Sequence, residues 1–161
     1  MKRSAKTADE QFKQTLAAYF CKMSGTVGLP RSVALIYHSL FLSPAPLCFA
    51  DIVNQSGLSK ASASTGLKLL ERMGGVEAVF VPDDRRTFYR AELSLRRIIQ
   101  GFIRESLQPG MDAGQCLLDE AAALPATELS PICIERLASL RHWHSLTKEL
   151  LPALSTLDPV N

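Results

Sequence analysis

Residues Ala50–Met73, ADIVNQSGLSKASASTGLKLLERM, decide the fold. They read as two short helices joined by a tight turn. Ile52 and Val53 belong on the inner face of the first. Gly57 supplies a left-handed exit, Leu58 turns inward, and Ser59 caps the second helix by accepting from its free N–H groups. In that second helix Ala63, Leu67 and Leu70 fall at i, i+4 and i+7, which makes one apolar stripe. The opposite face reads Lys60, Ala61, Ser62, Ser64, Thr65 and Lys68. Such short, polar or basic side chains let a helix come close to a base edge or a phosphate. An ordinary helical hairpin with a solvated face has the same local pattern, so the flanking chain decides between the two.

Upstream, Thr7-Ala8-Asp9-Glu10 has capping-box spacing, and Phe12, Leu16, Tyr19, Phe20 and Met23 follow at helical intervals. Gly25 and Gly28 are expected to end that helix. A second helix is expected to open at Pro30, to bury Val33, Ile36, Tyr37, Leu40 and Phe41, and to stop before Ser43-Pro44-Ala45-Pro46. Leu47-Cys48-Phe49 has room for a short strand only. Downstream, Val76–Val81, a turn Pro82-Asp83-Asp84-Arg85 and a return run Arg86–Glu92 predict a β-hairpin. A hairpin directly after such a helix pair is the winged-helix arrangement, and arginines at its tip are placed for a minor groove or for phosphates. The bland alternative is a solubilising charged turn.

From Leu93 onward the chain is helical. Leu95, Ile98, Ile99, Phe102, Ile103 and Leu107 form the stripe of a helix expected to end at Pro109-Gly110. A second helix spans roughly 112–124. A third is capped by Ser130, opens at Pro131, and carries Leu137, Leu140, Trp143, Leu150, Leu151 and Leu154. These helices hold more apolar surface than one compact winged helix can cover, and pairing with a second copy is the simplest way to bury it. The predicted fold class is therefore mainly α with a small β-hairpin wing. Residues 1–29 form an N-terminal helix joining the dimer region, 30–92 the winged helix-turn-helix, and 93–161 a helical dimerisation and effector region.

A chain of 161 residues with 47% hydrophobic content has enough apolar material for a core, and a net charge of +2 makes no global case for nucleic acid. The distribution is uneven, however. Residues 1–92 carry 12 Lys and Arg against 8 Asp and Glu, whereas residues 93–161 carry 6 against 8. No apolar run approaches the ~20 residues that span a bilayer, so a cytoplasmic protein without a membrane partner is expected. Cys21, Cys48, Cys116 and Cys133 are widely spaced, which argues for reduced thiols and against a zinc site. His142 and His144 would point about 200° apart on one helix and so cannot chelate one ion. No metal or cofactor is expected. No nucleophile–base pair, phosphate loop or paired carboxylate stands out, so an enzyme is not expected either.

Four motifs in order, Gly28-Leu29-Pro30-Arg31-Ser32, Leu40-Phe41-Leu42-Ser43-Pro44, Gly57-Leu58-Ser59-Lys60 and Val81-Pro82-Asp83-Asp84-Arg85-Arg86-Thr87-Phe88-Tyr89, resemble the GbsR-type branch of the MarR regulators. The resemblance covers residues 12–92 well and the remainder in arrangement only. It implies a homodimeric prokaryotic transcriptional regulator, a repressor that binds a pseudo-palindromic operator. It also implies that Asp84 orients Arg86 toward the minor groove. Two departures stand out. Cys48 replaces the usual Ser or Thr cap of the first motif helix, with Asp51 compensating through the helix dipole. Glu77-Ala78 replaces basic residues on the first wing strand. That branch is linked to choline or betaine metabolism, but no aromatic cage for such a cation can be assigned among Tyr19, Phe20, Tyr37 and Trp143. Any small-molecule effector remains unnamed.

The expected partner is double-stranded DNA. Ser59 to Lys68 would enter the major groove, with Ser62, Ser64 and Thr65 nearest the bases. Lys60, Lys68, Arg72 and Arg31 would meet phosphates, and Arg85 and Arg86, with Asp84 beside them, the minor groove. A winged helix used only for protein–protein contact is the main alternative, favoured by Glu77, Ala78 and the small net charge. A redox role for Cys48, near a helix N-terminus, is a further reading, set against that of a buried small residue. If Lys68 meets a phosphate, Lys68→Ala should weaken binding to all sequences alike and lower the salt slope by about one unit. A loss confined to one operator would contradict that role.

Overall fold

Thr7 caps the first helix in a full capping box: its hydroxyl accepts from the Glu10 N–H, and Glu10 accepts from the Thr7 N–H, both at 3.2 Å. The structure is a computed structural model that describes residues 7–155, with side chains through Ala153. Contacts divide the chain into two compact units at Leu93/Ser94.

The first unit contains α1 (Ala8–Thr26), α2 (Arg31–Phe41), β1 (Leu47–Cys48), α3 (Phe49–Ser56), α4 (Lys60–Arg72), β2 (Val76–Val79) and β3 (Phe88–Ala91). Gly28 (φ 73°) lies past the end of α1, whereas Gly25 is inside its last turn. Pro30 is the residue before α2 and not its first, since its ψ of 146° is extended. Val33, Ile36 and Leu40 are buried as expected, while Tyr37 is half-buried and Phe41 exposed. Phe20 of α1 packs edge-on against Tyr37 and Phe41, at centroid distances of 5.2 and 5.5 Å, which holds α1 to α2.

The core is built from Ile36, Leu40, Ile52, Leu67, Leu70 and Val76. Gly57, at φ 67°, closes α3 by donating to the Val53 carbonyl, and Ser59 caps α4 by accepting from the Ser62 N–H. The three strands form an antiparallel sheet in the order β1-β3-β2, with Leu47 opposite Tyr89 and Val76 opposite Ala91. Leu47-Cys48 thus belongs to the wing sheet. The hairpin pairs only from Val76↔Ala91 to Val79↔Phe88, so its loop spans residues 80–87 and is longer than a four-residue turn. Within that loop the Asp84 N–H donates to the Val81 carbonyl, and Asp83 has φ 64°. Pro82 followed by a positive φ fits a type II turn.

The second unit corrects one expectation. The helix does not stop at Pro109-Gly110. α5 (Leu95–Phe102) passes through a π-helical turn, Ile103–Leu107, directly into α6 (Gln108–Ala122). The Gln108 N–H donates five residues back to the Ile103 carbonyl. A proline at 109 removes one donor and crowds the preceding turn, and the widened π turn just before it accommodates both effects. A 3₁₀ turn, Ala126–Glu128, leads to α7 (Pro131–Ser155), capped by Ser130 as expected.

α7 uses one face internally, with Leu151 buried and Leu137, His144 and Lys148 half-buried. The His144 ring lies against α6, where a Cβ on Gly114 would come 3.1 Å from its Cε1. Trp143 and Leu150 are 65% and 64% exposed, so α7 also carries an uncovered apolar face. Leu154, expected in that stripe, lies outside the described side chains.

α4 crosses α2 at Gly66, where a Cβ would lie 2.7 Å from Ile36 Cδ1 and 3.1 Å from Ser32 Oγ. Ile36 is fully buried, so its Cδ1 would have to give way within a filled core. Gly66→Ala should therefore destabilise the protein by about 1–2 kcal/mol in urea unfolding, overpacking outweighing the gain in helix propensity. A stabilised variant would contradict so close a crossing.

Candidate nucleic-acid interface

α4 is fixed by its buried stripe Ala63, Gly66, Leu67 and Leu70, which leaves Lys60, Ala61, Ser62, Thr65 and Lys68 exposed and Ser64 half-buried. The Ser59 hydroxyl is engaged in capping: it accepts from the Ser62 N–H at 3.2 Å and donates to the Ser62 hydroxyl oxygen at 3.0 Å. The Ser62 hydroxyl keeps its own proton for donation outward. Ser32 and Pro30, at the start of α2, share a groove of about 310 Å³ with Ala61, Ser62, Thr65, Gly66 and Leu69 of α4. Arg31 is exposed between those two α2 residues. The close crossing at Gly66 thus brings the Gly-Leu-Pro-Arg-Ser segment and the α4 surface together. Arg72 is exposed at the far end of α4. Lys60, Lys68 and Arg31 make no ion pair with any described residue.

The wing residues meet a different element, the N-terminus of α3. The Asp84 carboxylate accepts from the Arg86 backbone N–H at 3.0 Å, from Nε at 3.0 Å and from Nη2 at 2.5 Å. Arg86 Nη1 donates to Cys48 Sγ at 3.5 Å, and the guanidinium lies 5.2 Å from the Phe88 ring centroid. These hydrogen bonds hold the Asp84 carboxyl at about 2, below its ordinary 3.8, and the same carboxylate raises the guanidinium. Asp51 compensates for the missing Ser or Thr cap more directly than through a dipole: its Oδ2 accepts from the Cys48 N–H at 3.2 Å. Hydrogen bonds from the Cys48 thiol, then from its N–H, hold the Asp51 carboxyl below its usual range.

Two contacts escaped the sequence reading. Arg90 forms a cross-strand ion pair with Glu77, Nε donating to Oε1 at 2.9 Å, so the acidic residue on the first wing strand has its charge balanced within the sheet. Tyr37 donates to the Glu92 carbonyl at 2.7 Å, tying the chain just after β3 to α2; burial, then the Glu92 charge, pushes its hydroxyl up to about 12. Arg85 and Phe80 are exposed in the wing loop, Phe80 at 85%.

A helix-turn-helix followed by a hairpin, with β1 completing a three-stranded sheet, leaves little choice of fold. This is a winged helix. No protein-family model and no curated protein matches the chain. Among solved structures, one described as a transcriptional regulator is 22% identical, with a TM-score of 0.56 over 90% of this chain and 94% of that one. NadR, solved in complex with 4-hydroxyphenylacetate, is 19% identical with a TM-score of 0.42 over 98% of both chains. A MarR family transcription regulator is 20% identical with a TM-score of 0.42 over 88% of this chain and 89% of the other. The first of these shares the fold, and the looser superpositions add nothing to that. Among the described residues no helix is long and apolar enough to cross a membrane, and no cluster of three or more His, Cys, Asp or Glu could hold a metal ion.

Asp84 titrates far below neutrality, so its bonds to Arg86 are present above about pH 4 and are lost as pH falls through about 2. Carboxyl NMR should place its midpoint near 2, with the wing resonances moving in the same step. A midpoint at the ordinary 3.8 would contradict the arrangement.

Proposed function

We propose that this protein is a DNA-binding transcriptional regulator of the MarR type, of its GbsR-like branch. It acts as a homodimer on a pseudo-palindromic operator and represses by occupying it. The observation that carries the reading is the α4 surface. Lys60, Ser62, Thr65 and Lys68 are exposed on a helix locked to the core, with Pro30 and Ser32 at the start of α2 beside Ser62 and Thr65. On this reading Ser62, Ser64 and Thr65 meet base edges in the major groove, and Ser59 sets the helix start. Lys60, Lys68, Arg72 and Arg31 neutralise phosphates, and the wing with Asp84, Arg85 and Arg86 lies along the adjacent minor groove.

Two uncovered apolar faces support the homodimer. Phe12, Tyr19 and Met23 on α1 are 58%, 55% and 44% exposed, and α7 exposes Leu140, Trp143 and Leu150. A second copy would cover both, setting two reading helices one helical turn of DNA apart. Residues 1–29 and 93–161 then serve dimerisation around the 30–92 reading unit. A small-molecule effector would act on that assembly.

Selection of genomic fragments by the purified protein, with sizing alongside, tests the reading. A dimer and an enriched pair of half-sites about 10 base pairs apart are expected. A dimer that enriches no fragment at any salt concentration would favour the protein–protein module instead.

A further inference from the structure

We infer that Cys48 and Arg86 form a tie that positions the wing on α3, and that Arg85 is the wing side chain that enters the DNA. The inference deepens the DNA-binding reading above and rests on it. It divides between two adjacent arginines a task that their sequence would give to both.

Arg86 is gripped from three directions. Asp84 takes Nε and Nη2, Cys48 takes Nη1 at 3.5 Å, and Phe88 lies under the guanidinium plane at 5.2 Å. Phe88 is itself the β3 partner of Cys48, so the arginine meets the sheet where β1 ends and α3 begins. The contacts continue beyond the sulfur, because the Asp51 carboxylate accepts from the Cys48 backbone N–H at 3.2 Å. A chain of contacts therefore runs Asp84–Arg86–Cys48–Asp51, from the wing loop to the first turn of the first reading-unit helix. Cys48 is 2% exposed and stands 38 residues before Arg86 in the chain. For Arg86 to extend into a groove it would have to leave Cys48 and Phe88.

The wing needs such a tie. Four residue pairs hold its two strands, and its loop spans residues 80–87. A short ribbon of this kind is marginal by itself, and its direction must be set by something outside it. Arg85 differs in its contacts. Both arginines are exposed, but Arg85 has no ion-pair partner among the described residues, so turning toward DNA costs it no internal contact.

The test uses the full-length protein, its selected operator and five variants: Arg85→Ala, Arg86→Ala, Cys48→Ala, Cys48→Ser and the Cys48→Ala/Arg86→Ala double. DNA affinity is measured across salt, and hydrogen exchange of the residue 80–87 amides is followed without DNA. Arg85→Ala should lower the salt slope by about one unit and leave wing exchange unchanged. Arg86→Ala and Cys48→Ala should each weaken binding on the order of fivefold, speed wing exchange and keep the slope. Their double variant should be no worse than the stronger single one, because both cut the same tie. Cys48→Ser should restore binding and exchange, since a hydroxyl also accepts from Arg86. The tie is overturned if Arg86→Ala lowers the slope without loosening the wing, or if the Cys48 and Arg86 effects add. If the wild-type protein selects no DNA, the functional reading fails, and the exchange data alone judge the tie. Equal wing exchange in all five variants would then sink it.

Discussion

The crossing of α2 and α4 at Gly66 is the constraint on which the rest depends. Helix axes normally stay 8–10 Å apart because side chains stand between them, and a glycine at the contact lets the backbones come closer. Here Ile36 and Ser32 occupy the space a Cβ would need. That contact fixes the depth of α4 against the core, and through it which side chains face outward. It also places Pro30 and Ser32 beside Ser62 and Thr65, so one packing contact both builds the core and assembles the proposed phosphate- and base-contacting surface.

Around that crossing, polar contacts set direction more than they add stability. The Glu77–Arg90 and Asp84–Arg86 pairs are solvent-exposed, and exposed ion pairs contribute little to stability. Their value is geometric. One holds the outer face of the hairpin in register, and the other feeds the contacts that reach Cys48 and the start of α3. Tyr37 adds a third restraint by holding the Glu92 carbonyl against α2. The wing is thereby tied to α2 and to the start of α3. The second unit is built differently. Ile103, Leu151 and Gly101 are its buried residues among those described, while Leu140, Trp143 and Leu150 stay uncovered. A helical unit with so little interior leaves those faces to be covered, which is why a partner copy enters the proposed function.

The features legible in the residues alone are those that short-range physics controls. The Thr7–Glu10 capping box, the left-handed Gly57, the Ser59 cap and the Ala63/Leu67/Leu70 stripe each depend on residues within one or two helical turns, and each stands where the sequence put it. The winged-helix order followed from them because helix, turn and hairpin signals came in sequence. The tertiary structure alone decided the remainder. Cys48 reads locally as a weak cap, yet it joins the wing sheet and receives Arg86, because pairing of β1 with β3 brings together positions 38 residues apart. Glu77 reads as a missing positive charge until Arg90 arrives opposite it. Pro109-Gly110 reads as a stop, but a π turn absorbs it and the helix runs on. Gly66 carries no signal within its own helix, since the atoms that require it belong to α2. In each case the deciding atom lies across the fold or in a non-standard turn, where local propensity and periodicity hold no information.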